Sequence, residues 1–489
     1  MTLRELLRDL TTQPIPAIPI TGVESHSKQI REGQLFVAVR GPNHDGNDFI
    51  DEAIKRGAAA VVAERAPIGY VPCPVIRVPD AQLALASIAA RFYGRPVDQM
   101  RLIGVTGTCG KTTTAYITKA ILEAAGKRAG LLGTVAYEIG ARHVPSTNTT
   151  PGLLAMQQML AQMVEHGLRW CVMEVSSHAL DQRRVEGLAF DAAIWTNLGS
   201  DHLDYHKTLD RYAEAKRRIF THLRPGGRAV LNRDDAYGQT LAERMAGPSL
   251  ITFGVEREAD VQVKIVQGDW DGMHLVITTP WGTFPAHTPL VGRHNASNIA
   301  AAAAACLGLG IPPTAIQAAL AEFPQVPGRL ERVPNESGVH VIIDFAHTAD
   351  SLERVLLELR ALVRGQIIAV FGCGGDRDQL KRPEMGKVAS LIADHVILTT
   401  DNPRSEDPRD IILQIKSGFA PGFRNFATIT DREEAIQSAL SMARADDAVL
   451  IAGKGHEAYQ IFQHTTTPFS DRQAVERYFA ARTARTVTV

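Results

Sequence analysis

Between positions 104 and 112 the chain reads Gly-Val-Thr-Gly-Thr-Cys-Gly-Lys-Thr, after the apolar pair Leu102-Ile103 and before a plausible helix start at Thr113-Thr114-Ala115-Tyr116-Ile117. Glycines at 107 and 110 leave backbone N–H groups free to converge on an anion. The Lys111 ammonium suits β- and γ-phosphate oxygens, and the Thr112 hydroxyl suits Mg²⁺. The spacing is T-G-T-x-G-K-T, one residue longer between Gly104 and Gly110 than in the usual phosphate loop. It predicts ATP binding, with Gly107, Thr108, Gly110, Lys111, Thr112 and Thr113 at the phosphates.

Other polar residues follow directly on apolar runs. Glu174 ends Trp170-Cys-Val-Met-Glu-Val175; alone it reads as a solvated strand end, and beside a phosphate loop as a second Mg²⁺ ligand. Ser200-Asp-His-Leu-Asp-Tyr-His206 follows the next apolar run, and His202 lies nearest its end, which makes it the favoured further ligand. Lys216, in Tyr212-Ala-Glu-Ala-Lys-Arg-Arg218, reads by itself as one charge on a solvated helix face. In Gly292-Arg-His-Asn-Ala-Ser-Asn298, Asn295 or Ser297 can cap the alanine-rich helix that follows, and a contact with adenine is an equal alternative. Asp344-Phe-Ala-His347 follows a buried run. Gly372-Cys-Gly-Gly-Asp-Arg377 is a glycine-rich turn without a Lys-Thr pair, fit for an anion or a substrate. In Thr400-Asp-Asn-Pro-Arg404, Pro403 stiffens a turn that offers an acceptor, an amide and a guanidinium, a set suited to an amino acid. Gly453-Lys-Gly-His-Glu457 adds a flexible turn beside a carboxylate. Ser25, Asn43 and His44 are weaker candidates in the N-terminal loops.

These turns need strands to carry them. From Arg101 strands and helices alternate, with strands to Val105, at 129–132, 170–175 and 192–196, which predicts a doubly wound, mostly parallel α/β sheet with ligands at the strands' carboxyl ends. The pattern restarts after a break at Gln325-Val-Pro-Gly-Arg-Leu330, with strands at 339–344, 367–371, 395–399 and 448–452. Residues 1–98 form a smaller α/β unit. The expected organisation is 1–98, 99–330 and 331–489, with catalysis between the last two. With 45 % hydrophobic and 21 % charged residues and a formal charge of −1, the chain offers no global electrostatic case for nucleic acid or an anionic membrane. Five scattered cysteines argue against a disulfide framework or zinc site and for a reducing cytoplasm. No uncharged stretch is long enough to span a bilayer.

Taken together, the chain resembles the Mur ligase family, ATP-dependent amide-bond formers of peptidoglycan synthesis. The resemblance runs in order through T-G-T-x-G-K-T-T at 106–113, T-N-T-T-P at 147–151, E-V-S-S-H at 174–178, D-H-L-D-Y-H at 201–206, G-R-H-N at 292–295, P-G-R at 327–329, G-G-D-R at 374–377, D-N-P-R at 401–404 and G-K-G-H-E at 453–457. Nine collinear motifs are highly specific, and they cover essentially the whole chain. Within the family the likeness is greatest to members that add meso-diaminopimelate to UDP-N-acetylmuramoyl-L-alanyl-D-glutamate.

The resemblance implies that Lys111, Thr112, Glu174 and His202 hold the ATP phosphates and Mg²⁺. It also implies that Lys216 is carbamylated and contributes its carbamate oxygens to a second Mg²⁺ site. Asn295, Arg329, Asp344 and His347 would dock the ATP. Thr149, Thr150, Ser176, Gln182 and Arg184 would hold the UDP-muramoyl dipeptide, whose uridine end meets Ser25, Asn43 and His44. Arg377, Asp401, Asn402, Pro403, Arg404, Gly453 and Glu457 would form the diaminopimelate pocket. The implied catalyst is a cytoplasmic monomer with small-molecule partners only. Three departures stand out: Cys109 replaces the family's usual Asn, Glu24-Ser-His26 replaces Asp-Ser-Arg, and Phe345 replaces a common Tyr. The alternatives are the same scaffold adding L-lysine, a folylpolyglutamate-type ligase, and a phosphate-loop motor; Arg404 speaks against the first, because lysine lacks a second carboxylate.

Overall fold

The computed structural model describes all residues except 42–43, 67–70, 246, 248 and 488–489. Asn43 therefore lies outside the described residues. The chain forms two compact units that are not sequential: one comprises Met1–Leu198, Thr208–Gln262 and Ile299–Ala319, the other Gly199–Lys207, Val263–Asn298 and Leu320–Val489.

In the first unit, residues 23–77 build a four-stranded parallel sheet in sequential order, from Val23–Glu24, Leu35–Val37, Ala60–Ala63 and Val75–Arg77. The helix Ala81–Phe92 packs its alanine-rich face into this core, and Asp80 caps it by accepting from the Leu83 N–H. The larger sheet of the unit is organised around Arg101–Thr106, which pairs in parallel with Trp170–Glu174 on one side and Phe190–Trp195 on the other. Parallel strands covered on both faces read as unbroken apolar runs, and these do. Outward from the centre lie Ala129–Leu132 on one side and Leu223–Asn232 and Leu250–Gly254 on the other, all parallel.

The second unit carries a six-stranded sheet in the order Glu331–Val333, His340–Asp344, Ala448–Ala452, Ile367–Phe371, His395–Leu398 and Phe426–Thr428. The first pair is antiparallel and the others parallel. The last strand in sequence thus sits between the first two parallel strands. Because these four strands are parallel, the turns after 344, 371, 398 and 452 all lie at the sheet's carboxyl end. The hairpin Gly272–Thr279 with Gly282–Thr288 also belongs to this unit.

The alanine-rich helix runs Arg293–Gly308, beginning before Asn295 and Ser297, so neither can be its N-cap. Glu358 serves the helix start instead, accepting from the Arg293 N–H (3.0 Å) and the His294 N–H (3.3 Å).

Candidate active site

The loop after Arg101–Thr106 turns into the helix Lys111–Ala124, whose first turn follows Gly110 at φ 83°. Gly107 has φ 147°, and a Cβ there would lie 1.9 Å from Thr196 Oγ1, so the position admits only glycine. The end of the neighbouring strand holds the loop in shape. The Thr108 N–H donates to Asn197 O (2.9 Å), the Cys109 N–H to Asn197 Oδ1 (3.0 Å), and Thr196 Oγ1 to Cys109 O (2.6 Å). Lys111 Nζ donates to Gly107 O and Thr108 O, each at 2.9 Å, so its ammonium lies over the loop.

Glu174 is 1 % exposed, which excludes a solvated strand end. Its Oε2 accepts from Thr112 Oγ1 (3.0 Å) and Thr134 Oγ1 (3.0 Å), and its Oε1 from the Thr134 N–H (2.7 Å). Two oxygen donors of the kind Mg²⁺ takes, the Thr112 hydroxyl and this carboxylate, thus stand side by side at the phosphate loop. Among the described residues no cluster of three or more His, Cys, Asp or Glu groups is arranged to hold a metal.

Lys216 is also 1 % exposed, contrary to its reading as a solvated lysine. The helix Leu209–Arg217 directs it inward, where Nζ donates to Gly107 O (2.6 Å) and lies 4.4 Å from the centre of the Tyr212 ring. Tyr212 OH in turn lies 3.3 Å from Thr108 Oγ1. Lys216 therefore meets the phosphate loop at the residue Lys111 also touches.

Beside Glu174 the dipeptide candidates come together. Thr150 Oγ1 donates to Glu174 O (2.9 Å) and accepts from the Ser176 N–H (3.0 Å); Thr149 Oγ1 lies 3.1 Å from Thr134 Oγ1, within hydrogen-bond distance. Arg184 Nη1 donates to Thr150 O (3.2 Å), and its Nε to Gln182 Oε1 (2.9 Å). Ser25 follows the short strand Val23–Glu24, its N–H held by Glu24 Oε1 (2.8 Å). His44 is exposed and packs edge-on against Phe49.

The remaining candidates belong to the second unit. His202 has φ 55°, and its Nε2 lies 3.5 Å from Asp201 Oδ2. Asp344 accepts from the Leu330 and Ala346 N–H groups, each at 2.7 Å. Burial raises its pKa, and the nearby Arg329 guanidinium opposes that rise. Arg329 lies over the Phe345 ring, 4.6 Å from its centre, and His347 packs against the same ring. Burial holds the His347 imidazole below its usual pKa, with Lys381 adding to the effect. Asn295 is buried, donating to Val291 O (2.8 Å) and accepting from Asn298 Nδ2 (3.2 Å).

At the sheet's carboxyl end two turns are laced together. The Gly375 N–H donates to Asn402 O (2.9 Å), Arg404 Nη1 donates to Gly375 O (2.6 Å), and Ser405 Oγ donates to Asp376 Oδ1 (2.6 Å). Arg404 sits at φ 51°, a conformation held by its N–H donating to Ile461 O (3.0 Å) and its carbonyl accepting from the Gln463 N–H (2.6 Å). Glu406 N–H bonds to Pro403 O (3.0 Å). Asn402 Nδ2 donates to Glu457 Oε2 (2.9 Å), which joins the third turn to the other two. Arg377 is exposed on the first turn.

Four residues of these constellations were not singled out from sequence. Thr134 orients Glu174, and its position just after the strand Ala129–Leu132 was the available signal. Buried Arg382 forks onto both oxygens of Glu406 (2.7 and 2.8 Å) and onto Gly374 O (3.1 Å), and Glu406 Oε1 accepts from the Asp376 N–H (2.6 Å). That arrangement fixes the glycine-rich turn against the turn of Arg404. Lys454 lies inside G-K-G-H-E.

Three family descriptions match successive parts of the chain: "Mur ligase family, catalytic domain" at 19–93, "Mur ligase middle domain" at 105–306, and "Mur ligase, glutamate ligase domain" at 328–455. The chain belongs to the Mur ligase family. It is thereby an ATP-dependent, amide-bond-forming ligase. Among the relatives of this Mur ligase, the UDP-N-acetylmuramoyl-L-alanyl-D-glutamate--2,6-diaminopimelate ligase of Geobacillus thermodenitrificans is 45 % identical over 93 % of each chain. The Synechococcus elongatus protein of the same name is 42 % identical over 99 % of each. A solved structure bearing that name matches with a TM-score of 0.71 and 32 % identity over 99 % of both chains. No described helix of this Mur ligase is long and apolar enough to cross a membrane.

Proposed function

We propose that this Mur ligase joins meso-diaminopimelate to the D-glutamate γ-carboxylate of UDP-N-acetylmuramoyl-L-alanyl-D-glutamate, in the cytoplasm and as a monomer. The observation that carries the amino-acid assignment is the laced carboxyl end of the sheet in the second unit. There one set of turns presents the carboxylates of Asp401 and Glu457 and the guanidinium of Arg404, complementary to a substrate with two ammonium and two carboxylate groups. The relatives bearing the diaminopimelate-ligase name support the same reading.

In this reading Lys111 turns from its loop carbonyls to the β- and γ-phosphate oxygens, and the loop N–H groups hold the phosphate chain. Thr112 and Glu174, with His202 and carbamylated Lys216 as further ligands, would hold Mg²⁺, which would supply charge neutralisation at the phosphates. Thr149, Thr150, Ser176, Gln182 and Arg184 hold the dipeptide so that its carboxylate meets the γ-phosphate, while Ser25, Asn43 and His44 receive the uridine end. Asn295, Arg329, Asp344 and His347 are assigned to the nucleotide. The carboxylate attacks the γ-phosphorus, the bond to the β-phosphate oxygen breaks and ADP leaves; the diaminopimelate amine, which Asp401, Asn402, Glu457, Gly453, Pro403, Arg377 and Arg404 orient, then attacks the acyl carbon of the acyl phosphate, loses its proton, and phosphate leaves. Catalysis is positioning and electrostatics, with no covalent enzyme intermediate.

Phosphate release measured with each substrate omitted in turn tests the reading. Release should require the UDP-dipeptide and diaminopimelate together, and L-lysine should not replace the latter. Arg404→Ala should lower kcat/KM for diaminopimelate about 10- to 100-fold, the loss expected of one charged hydrogen bond. Rapid ATP hydrolysis without either co-substrate refutes the ligase reading; an unaffected Arg404→Ala enzyme refutes the pocket.

A further inference from the structure

Resting on that reading of the amino-acid pocket, we infer that Lys454 is a positioning residue for it, acting on Glu457 directly and by way of Asn402, whose amide it orients toward that carboxylate. Lys454 follows the strand Ala448–Ala452 and is 0 % exposed. Gly453 at φ 107° makes the turn that carries it inward, and a Cβ on Gly453 would lie 2.7 Å from Asp401 Oδ2. The Lys454 ammonium donates to Glu457 Oε2 (3.0 Å) and Asn402 Oδ1 (3.2 Å), and lies 5.4 Å from the centre of the Tyr459 ring.

Ammonium groups donate and never accept. Lys454 and the Ile461 N–H, which donates to the same Asn402 atom at 3.0 Å, therefore require that atom to be the amide oxygen. The Asn402 amide cannot flip, and its Nδ2 is obliged to point at Glu457 Oε2. Glu457 Oε2 thus receives two donors from within the protein, whereas Oε1 receives none among the described contacts. The Glu457 side chain retains 21 % exposure, so the uncommitted oxygen is the one available to an incoming ammonium group.

A buried ion pair is a poor device for stability, since an apolar pair of similar volume usually does as well. Nor is Lys454 needed to tie the two strand ends together. Buried Arg432 does that, donating to Ala452 O (3.0 Å) and Thr400 O (3.5 Å) with its charge matched by Asp471 (2.7 Å). What remains for Lys454 is to hold Glu457 and Asn402 in one arrangement before substrate arrives. Such preorganisation strengthens binding without a contact between the lysine and the ligand.

The test is Lys454→Met, close in length and volume, assayed with ATP, the UDP-dipeptide and diaminopimelate, beside Glu457→Gln and the double variant. KM for diaminopimelate should rise about 10- to 100-fold in Lys454→Met, with the KM values of the other two substrates unchanged. The double variant should match Glu457→Gln, because the lysine acts through that carboxylate. A diaminopimelate KM that does not move, a common rise in all three KM values, or additive losses in the double variant overturns the inference. If Lys454→Met does not fold, the double variant, which leaves no unpaired charge, decides: any loss beyond that of Glu457→Gln overturns it. A wild-type enzyme that does not ligate diaminopimelate defeats the underlying reading as well, and that result is distinguishable from all the others.

Discussion

Substituting Gly107 by Ala probes the phosphate loop through two separable effects. The added Cβ would fall 1.9 Å from Thr196 Oγ1, roughly 1.5 Å short of an ordinary van der Waals separation. Thr196 must then rotate and release the bond it donates to Cys109 O (2.6 Å), a loss of about 1 kcal/mol. Independently, a backbone at φ 147° is strained for a residue with a Cβ by about 1 to 3 kcal/mol. The sum is about 2 to 4 kcal/mol. If the free loop relaxes and must be forced back around nucleotide, the whole sum falls on ATP affinity, about 30- to 700-fold. If it cannot relax, the sum falls on folding stability. Calorimetric titration with ATP and equilibrium unfolding together therefore capture it. In a Thr196→Ala background, where that hydroxyl and its bond are already absent, Gly107→Ala should cost only the backbone part. If Gly107→Ala leaves both ATP affinity and unfolding unchanged, the loop is not held as described here.

The remaining predictions concern charge. Lys216→Ala should lose ligase activity, and bicarbonate or a short carboxylic acid should restore part of it by supplying carbamate-like oxygens; a fully active variant rules the carbamate out. Glu406 is held at a pKa of about 2, against 4.5 ordinarily, chiefly by its hydrogen bonds from Arg382. Because the folded value is the lower one, its stabilisation is complete above pH 4.5 and is lost as pH falls from there toward about 2. Glu406→Gln should be less stable than wild type at neutral pH and should lose less stability across that acid window. Parallel melting curves for the two proteins would show that Glu406 is not the source.

Local pattern was enough to locate the two larger, mostly parallel sheets and the turns that carry chemistry. Apolar runs such as Leu102–Val105 and Ile367–Phe371 are legible because a strand covered on both faces needs no polar alternation. The turns are legible because glycine and proline leave their conformational needs in the sequence. Lys216 was opaque from composition, since a lysine on a charged helix is ordinarily solvated, and only packing against the phosphate loop buries it. Glu406, Arg382 and Lys454 were missed for a related reason: each acts on a partner far away in sequence or hidden behind a turn. Asn295 and Ser297 carried a capping signal that the longer helix overrode when Glu358 took over its N-terminus. The sequence by itself determined the two α/β sheets, the phosphate loop and the family, because these depend on near neighbours and on collinear motifs. Only the tertiary structure decided which carboxylate oxygens are already committed and which charges are buried, because hydrogen-bond partners and desolvation arise only where distant segments pack.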